Sequence, residues 1–216
     1  MLTADVREQM IEQQVRAWDV ADERVLNVLR QVPRERFVPE SQRFLAYADA
    51  EIPLGHGQHM LRPSVVGRLL QALALEGGED VLEIGSGTGF VTACLASMAA
   101  HVRSIEIFED LADAARANLA STAFRNVDLI TGDGRALFGT TRYNAIAVTA
   151  SLPLPDESFQ RQLALGGRLF VVVGEPPVME ALLIRRVSET AFTTQSLFET
   201  VIDPLVNARH PSTFTF

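Results

Sequence analysis

The sequence predicts an α/β fold of Rossmann-like type, with a mostly parallel sheet, helices on both faces, an N-terminal helical extension and an antiparallel edge at the C-terminus. Three observations predict it. From Asp80 onward, short apolar runs of strand length alternate with amphipathic stretches of helical period, the pattern of a parallel sheet covered on both faces. The first run, Val81 to Ile84, leads straight into a glycine-rich turn, Gly85-Ser86-Gly87-Thr88-Gly89. Upstream of it, apolar residues recur at helical spacing instead.

In residues 1 to 78, Val6, Met10, Val15 and Trp18 mark one helical stripe. Asp22 is placed to cap a second helix carrying Val25, Leu26, Val28, Leu29 and Val32. The prolines of Val32-Pro33-Arg34-Glu35-Arg36-Phe37-Val38-Pro39 end that helix. Gly55-His56-Gly57-Gln58 is expected to be a loop, and Pro63 to open a helix at its first position with Val66, Leu69, Leu70 and Leu73 inward. Strands follow near 81 to 85, 101 to 107, 127 to 132, 143 to 150 and 168 to 174, with helices at 88 to 99, 109 to 121 and 156 to 163. Beyond Gly174, stretches 181 to 187 and 193 to 202 read as two strands joined by a short link, which pair antiparallel at one edge. No repeat or composition break divides the chain. One domain over residues 1 to 216 is expected, with a front piece to 78, a cofactor-binding core over 79 to 175 and C-terminal strands and tail from 176.

The glycine spacing bears on what the turn holds. A dinucleotide turn reads G-x-G-x-x-G and aims a helix N-terminus at a pyrophosphate. Here the third glycine follows the second by two residues, behind the acidic strand residue Glu83, and G-x-G-x-G in that setting cradles S-adenosylmethionine. Glycines at 85, 87 and 89 allow positive φ and close approach of backbone to ligand. The helix N-terminus at Thr88 would face the ligand carboxylate, with Glu83 near its ammonium or sulfonium pole. Glu106 closes the next strand 17 residues after Gly89, where a carboxylate accepts from ribose hydroxyls; the alternative is a solvated strand end. Asp133, between Gly132 and Gly134, would accept from an adenine amino group, although an Asp flanked by glycines is also an ordinary turn former. The expected cofactor-binding set is Met60, Glu83, Gly85, Ser86, Gly87, Gly89, Glu106, Ile107, Asp133 and Gly134, with S-adenosylhomocysteine as the product.

Composition excludes several classes. Apolar runs such as Leu169 to Val173 are too short to span a membrane. The charged stretch from Met1 to Met10 has no apolar core of a signal peptide, so a cytoplasmic protein is expected. A net charge of -8 opposes a nucleic-acid partner. The single cysteine, Cys94, lies in the apolar stretch Phe90 to Met98 and reads as a core thiol, so no disulfide or cysteine-ligated cluster is expected. All 19 basic residues are arginine, which removes Schiff-base and Walker lysine chemistry. The four histidines, at 56, 59, 101 and 210, are too scattered for a metal site.

Several segments together resemble the protein-L-isoaspartate O-methyltransferase family: Val32-Pro33-Arg34 with Phe37-Val38-Pro39, Ala46-Tyr47 with Asp49, Pro53-Leu54-Gly55-His56-Gly57-Gln58, the Val81 to Gly89 turn, Ser104-Ile105-Glu106, Gly132-Asp133-Gly134 and Gly166-Gly167-Arg168-Leu169. The resemblance implies a Rossmann-like methyltransferase fold and methyl esterification of an L-isoaspartyl carboxylate in damaged protein. A protein or peptide carboxylate is then the acceptor. After Gly-x-Gly-Gln the family usually shows Thr-Ile-Ser, one further residue, then Pro, with the serine hydroxyl close to the transferred methyl. Here those places read His59-Met60-Leu61-Arg62-Pro63, so Leu61 stands where the family has serine.

His59 and Leu61 are therefore the candidate catalytic positions. A carboxylate is already ionised at neutral pH, so alignment and desolvation matter more than a base. Losing an orienting hydroxyl costs roughly two orders of magnitude. His59 reads either as a base for a hydroxyl or phenol acceptor or as a residue of the cofactor lid, and Arg62 as an anion holder or a solvated helix start. Trp18 and Tyr47 read as core aromatics ahead of acceptor-cleft lining. Beside isoaspartyl methylation stand a methyltransferase of this scaffold with another acceptor and a noncatalytic S-adenosylmethionine-binding interaction protein. A nicotinamide dehydrogenase is opposed by the glycine spacing.

Overall fold

The computed structural model describes residues 2–136 and 140–210. Its N-terminal helix α1 (Leu2–Met10) widens into a π turn over Ile11–Val15, tightens to a 3-10 turn over Arg16–Trp18 and stops at Asp19, whose φ is 61°. The change of pitch leaves Ile11 and Val15 in the core. Asp22 caps α2 (Glu23–Gln31) as expected, its carboxylate accepting from the Arg24 amide at 2.9 Å.

The Gly55–Gln58 stretch departs from the expected loop. It is the turn of a hairpin between β1 (Ile52–Gly55) and β2 (Gln58–Met60), with Gly55 opposite Gln58. His56 and Gly57 both have positive φ, 54° and 69°, as a two-residue turn of right-handed strand twist requires. Strands this short lack a readable alternation. Pro63 then opens α3 (Pro63–Leu73), and Val66, Leu69, Leu70 and Leu73 are fully buried.

Five parallel strands form the body of the sheet: β3 (Asp80–Ile84), β4 (His101–Glu106), β5 (Val127–Thr131), β6 (Tyr143–Leu152) and β7 (Leu163–Glu175). Helices α4 (Phe90–Ala96), α5 (Glu109–Ala120) and α6 (Glu157–Arg161) connect them. Strands β8 (Val178–Arg186) and β9 (Phe192–Glu199) add antiparallel at one edge, giving the order β5-β4-β3-β6-β7-β8-β9. The chain runs outward from β3 to β5, then returns to β6 on the other side of β3. The crevice outside the carboxyl ends of β3 and β6 is thus the switch point at which open α/β sheets bind ligands.

Strand β7 starts earlier than expected because residues 164–167 bulge out between the pairs Tyr143↔Leu163 and Ala145↔Arg168. Gly167 sits at the tight point, where a Cβ would lie 2.8 Å from the Ala164 carbonyl oxygen. Arg168 then ties the sheet to the front piece, donating to the carbonyls of Leu73 and Ala74 and to Glu79. The front helices share a core with one sheet face, from Met10 and Val15 through Leu70 to Phe170. The other face buries Leu82, Ile146, Phe159 and Leu169. Trp18, partly buried, packs against the first core, edge-on to Phe198 at 5.3 Å. Cys94 is buried there too, and burial pushes its thiol pKa far up.

Gly67 is where α3 passes the π turn, and a Cβ there would lie 2.6 Å from Val15 Cγ1 and 3.1 Å from Val20 Cγ2. In an open helix, Gly→Ala stabilises by about 0.5–1 kcal/mol. Here Gly67→Ala is expected to destabilise by about 1–2 kcal/mol, because β-branched neighbours cannot swing aside. Urea unfolding of the two proteins checks the sign.

Candidate cofactor and active site

A cleft opens at the carboxyl ends of β3, β4, β5 and β6, beneath the β1–β2 hairpin. Its floor is the glycine-rich turn, with φ of 91° at Gly85 and 52° at Gly87. Gly85 also passes under Thr149, whose hydroxyl donates to the Ile84 and Gly85 carbonyls; a Cβ on Gly85 would lie 2.5 Å from that oxygen. The Gly87 amide donates to Glu106 Oε2 at 2.8 Å, and the Phe108 amide to Oε1 at 3.1 Å. Glu106 is 4% exposed, which excludes the solvated strand end. Burial raises its pKa against those amides. Each oxygen keeps acceptor capacity beyond its one amide.

Of the residues expected at the site, His59, Met60, Leu61, Gly85, Ser86, Gly87, Glu106, Ile107, Asp133 and Gly134 line the cleft. Glu83 and Gly89 are not among its lining residues. Glu83 is fully buried behind the turn, where it accepts from the hydroxyls of Thr92 on α4, at 2.6 Å, and Ser104 on β4. It pins helix to strand, and burial pushes its pKa up to about 7. Gly89 makes room for α5 instead of ligand: a Cβ there would meet Ala115 Cβ at 3.3 Å. Asp133 does act as a turn former, accepting from the Arg135 amide at 2.8 Å, while its other oxygen accepts from the Asn207 side chain at 3.0 Å.

The hairpin roof is held from below by Arg34. Its buried guanidinium has no carboxylate partner among the described residues, donating instead to the carbonyls of Ala46 at 3.0 Å and Leu61 at 2.7 Å and lying 4.8 Å over the Phe90 ring. Burial lowers its pKa to about 10. Asp49 fixes the start of α3 by accepting from the Ser64 hydroxyl at 2.7 Å. At the hairpin tip, His56 stacks on Phe108 at 4.1 Å and bonds Asp110 at 2.9 Å. His59 Nδ1 lies 2.9 Å from Asp203 Oδ2. Arg62 lies outside the lining and pairs with Glu51 at 3.5 Å.

Sequence reasoning missed Thr149, Phe108 and Leu205 in the lining, and Asp203 behind His59. Phe108, two residues past Glu106, lay within reach of a closer reading. Asp203, 144 residues from His59, had no spacing signal.

The buried Glu83 carboxyl makes stability depend on pH. From its ordinary 4.5 the folded value rises to about 7, so the unfolded chain loses this proton first and stability falls as pH rises across that window. Glu83→Gln lacks the proton. The mutant is expected to gain on the order of 3 kcal/mol relative to wild type between pH 4 and pH 8, read from urea unfolding at a series of pH values.

Comparison with known proteins agrees with this geometry. The family model described as protein-L-isoaspartate(D-aspartate) O-methyltransferase matches residues 5–210. A Rhodopseudomonas palustris protein named protein-L-isoaspartate O-methyltransferase is 41% identical over 92% of this chain and 92% of its own length. A second from another strain of that species, with the same name numbered 1, is 43% identical over 93% of this chain and 82% of its own. A Plasmodium falciparum chain carrying the family's name, solved with S-adenosyl-L-homocysteine, superposes with a TM-score of 0.82 at 22% identity, over 92% of this chain and 97% of that one. That likeness speaks for the fold. By family and by sequence identity, this chain belongs to the protein-L-isoaspartate(D-aspartate) O-methyltransferase family, a family of S-adenosylmethionine-dependent methyltransferases.

Proposed function

We propose that the cleft binds S-adenosylmethionine and that the chain transfers its methyl group to a protein or peptide acceptor. The observation that carries the reading is Glu106: a buried carboxylate, held by two backbone amides beside a glycine turn, with acceptor capacity left over. Ribose hydroxyls match that capacity, whereas a phosphate would be repelled by it. Gly85, Ser86 and Gly87 let the backbone approach the amino acid end of the ligand, and Ile107 and Phe108 offer apolar surface to adenine. Asp133 accepts from the adenine amino group after Asn207 yields. When bound, S-adenosylmethionine supplies an electrophilic methyl group on sulfur. The chain's own work is to align an acceptor with it and keep water out, for which the hairpin roof and the buried Met60 and Leu61 are suited. The core shared by front helices and sheet supports treating the described residues as one unit.

The names of the relatives make the isoaspartyl carboxylate the first acceptor to test. A second reading, the same donor site with a different acceptor, is favoured by Leu61, whose apolar side chain offers no hydrogen bond where the family has serine.

Isothermal titration tests the donor half. Micromolar binding of S-adenosylmethionine and S-adenosylhomocysteine is expected, weakened by about 1–3 kcal/mol in Glu106→Ala; heat with NAD and none with either ligand contradicts it. The acceptor half is tested by labelled methyl transfer to an isoaspartyl peptide and its aspartyl twin. With Leu61 present, transfer to the isoaspartyl peptide is expected to be weak. If that carboxylate is aligned, Leu61→Ser raises it about tenfold or more; robust wild-type turnover indifferent to Leu61→Ser shows that the hydroxyl is dispensable here.

A further inference from the structure

We propose that His59, in its protonated form and held by Asp203, receives the acceptor carboxylate, with its Nε2 hydrogen bonded to the oxygen that is not methylated. The proposal rests on the methyl-transfer reading above with the isoaspartyl carboxylate as acceptor, and it names the residue that recognises that group. Leu61 offers the carboxylate no hydrogen bond. Its negative charge also enters a cleft that already holds Glu106 and Asp133. Among the lining residues His59 alone can turn cationic, since no arginine is one of them and the chain has no lysine.

The geometry gives that charge a place. A carboxylate can only accept, so Asp203 Oδ2, 2.9 Å from His59 Nδ1, keeps a hydrogen on that nitrogen whether the ring is neutral or charged. The added proton therefore resides on Nε2, which has no hydrogen-bond partner among the described residues. The side chain lines the cleft and keeps 35% of its surface exposed, so an entering carboxylate can reach it. Both members are anchored. His59 pairs with Pro53 in the hairpin, and the Asp203 carbonyl accepts from the amide of the fully buried Ser151 at 2.8 Å and from its hydroxyl at 3.2 Å. Other charged groups on the elements around the hairpin are engaged elsewhere: Arg62 with Glu51 at 3.5 Å, His56 with Asp110 at 2.9 Å, Asp49 with the Ser64 hydroxyl, and Arg34 with the carbonyls of Ala46 and Leu61.

In the transfer, the free carboxylate oxygen bonds to the methyl carbon as the carbon–sulfur bond breaks, and the electron pair of that bond returns to sulfur. No proton is gained or lost in this step, so His59 holds the acceptor and does not act as a base. The ester that forms is neutral. It gives up a charge-assisted hydrogen bond roughly twice as strong as a neutral one, which favours release of the product.

The test measures binding of an end-blocked, histidine-free isoaspartyl peptide to the full chain saturated with S-adenosylhomocysteine, from about pH 5.5 to about pH 9, where the peptide carboxylate stays ionised. Affinity is expected to fall as pH rises, approaching about tenfold per pH unit at the alkaline end, the slope for one proton bound together with the ligand. His59→Gln should flatten this profile and weaken binding at the acid end about tenfold or more. Asp203 is a positioning residue: Asp203→Asn should weaken binding about tenfold in the wild-type background and not at all in the His59→Gln background, whereas a merely structural role would weaken both. Thermal midpoints should match wild type throughout. A flat wild-type profile, or a slope that survives His59→Gln, overturns the proposal and leaves methyl transfer standing. Absence of peptide binding at every pH removes the isoaspartyl acceptor and this proposal together while the donor half stands, and absence of S-adenosylhomocysteine binding sinks the reading on which both rest.

Discussion

The hydrogen bond from the Gly87 amide to the buried carboxylate of Glu106 is the contact on which the cleft depends. It joins the turn after β3 to the end of β4, so the glycine backbone and the acceptor oxygens keep a fixed relation. The turn is held in a left-handed conformation that only glycine takes at low cost. Glu106 in turn is buried against its own ionisation, and the two amides offset part of that cost. Behind this pair, Glu83 binds Thr92 and Ser104 and holds α4 against β4. In the proposed assignment the donor side is thus braced by its own hydrogen bonds, as a cradle for a flexible nucleoside should be.

The acceptor side is built by separate means. Burying a guanidinium without a directly paired carboxylate is expensive, yet among the described residues Arg34 has none and uses its donors on the carbonyls of Ala46 and Leu61. It connects the front helices to the end of β2 at Met60 and to Leu61 beyond it. His59, on β2, ties the hairpin to the segment after β9 through Asp203. In the proposed assignment, donor recognition and acceptor chemistry thus sit on different elements. Leu61 can replace a serine without disturbing the glycine turn, and a histidine–carboxylate pair can stand a few residues away.

Much of this was legible because short-range rules decided it. Asp22 and Pro63 start helices for reasons contained in one turn of chain, and strand–helix alternation from Asp80 needed only apolar runs and breakers. That Glu106 and Asp133 line the cleft followed from their places at strand ends. The failures share a different cause. The β1–β2 hairpin is too short for periodicity, and its signal was the pair of positive φ angles at His56 and Gly57. Glu83 and Gly89 lie in the right motif, but tertiary neighbours, Thr92 with Ser104 and Ala115, claim them for packing. Asp203 meets His59 only because the sheet brings β6 beside the chain that follows β9, at the bridge between Ser151 and Pro204.

The most direct measurement is a crystal structure of the chain with S-adenosylhomocysteine. The ligand is expected in the cleft over Gly85 to Gly87, with both ribose hydroxyls within hydrogen-bond distance of Glu106 and its sulfur facing the loop of His59 and Leu61. A ligand bound elsewhere, or one whose ribose makes no contact with Glu106, would contradict the assignment of this cleft as the methyl-donor site.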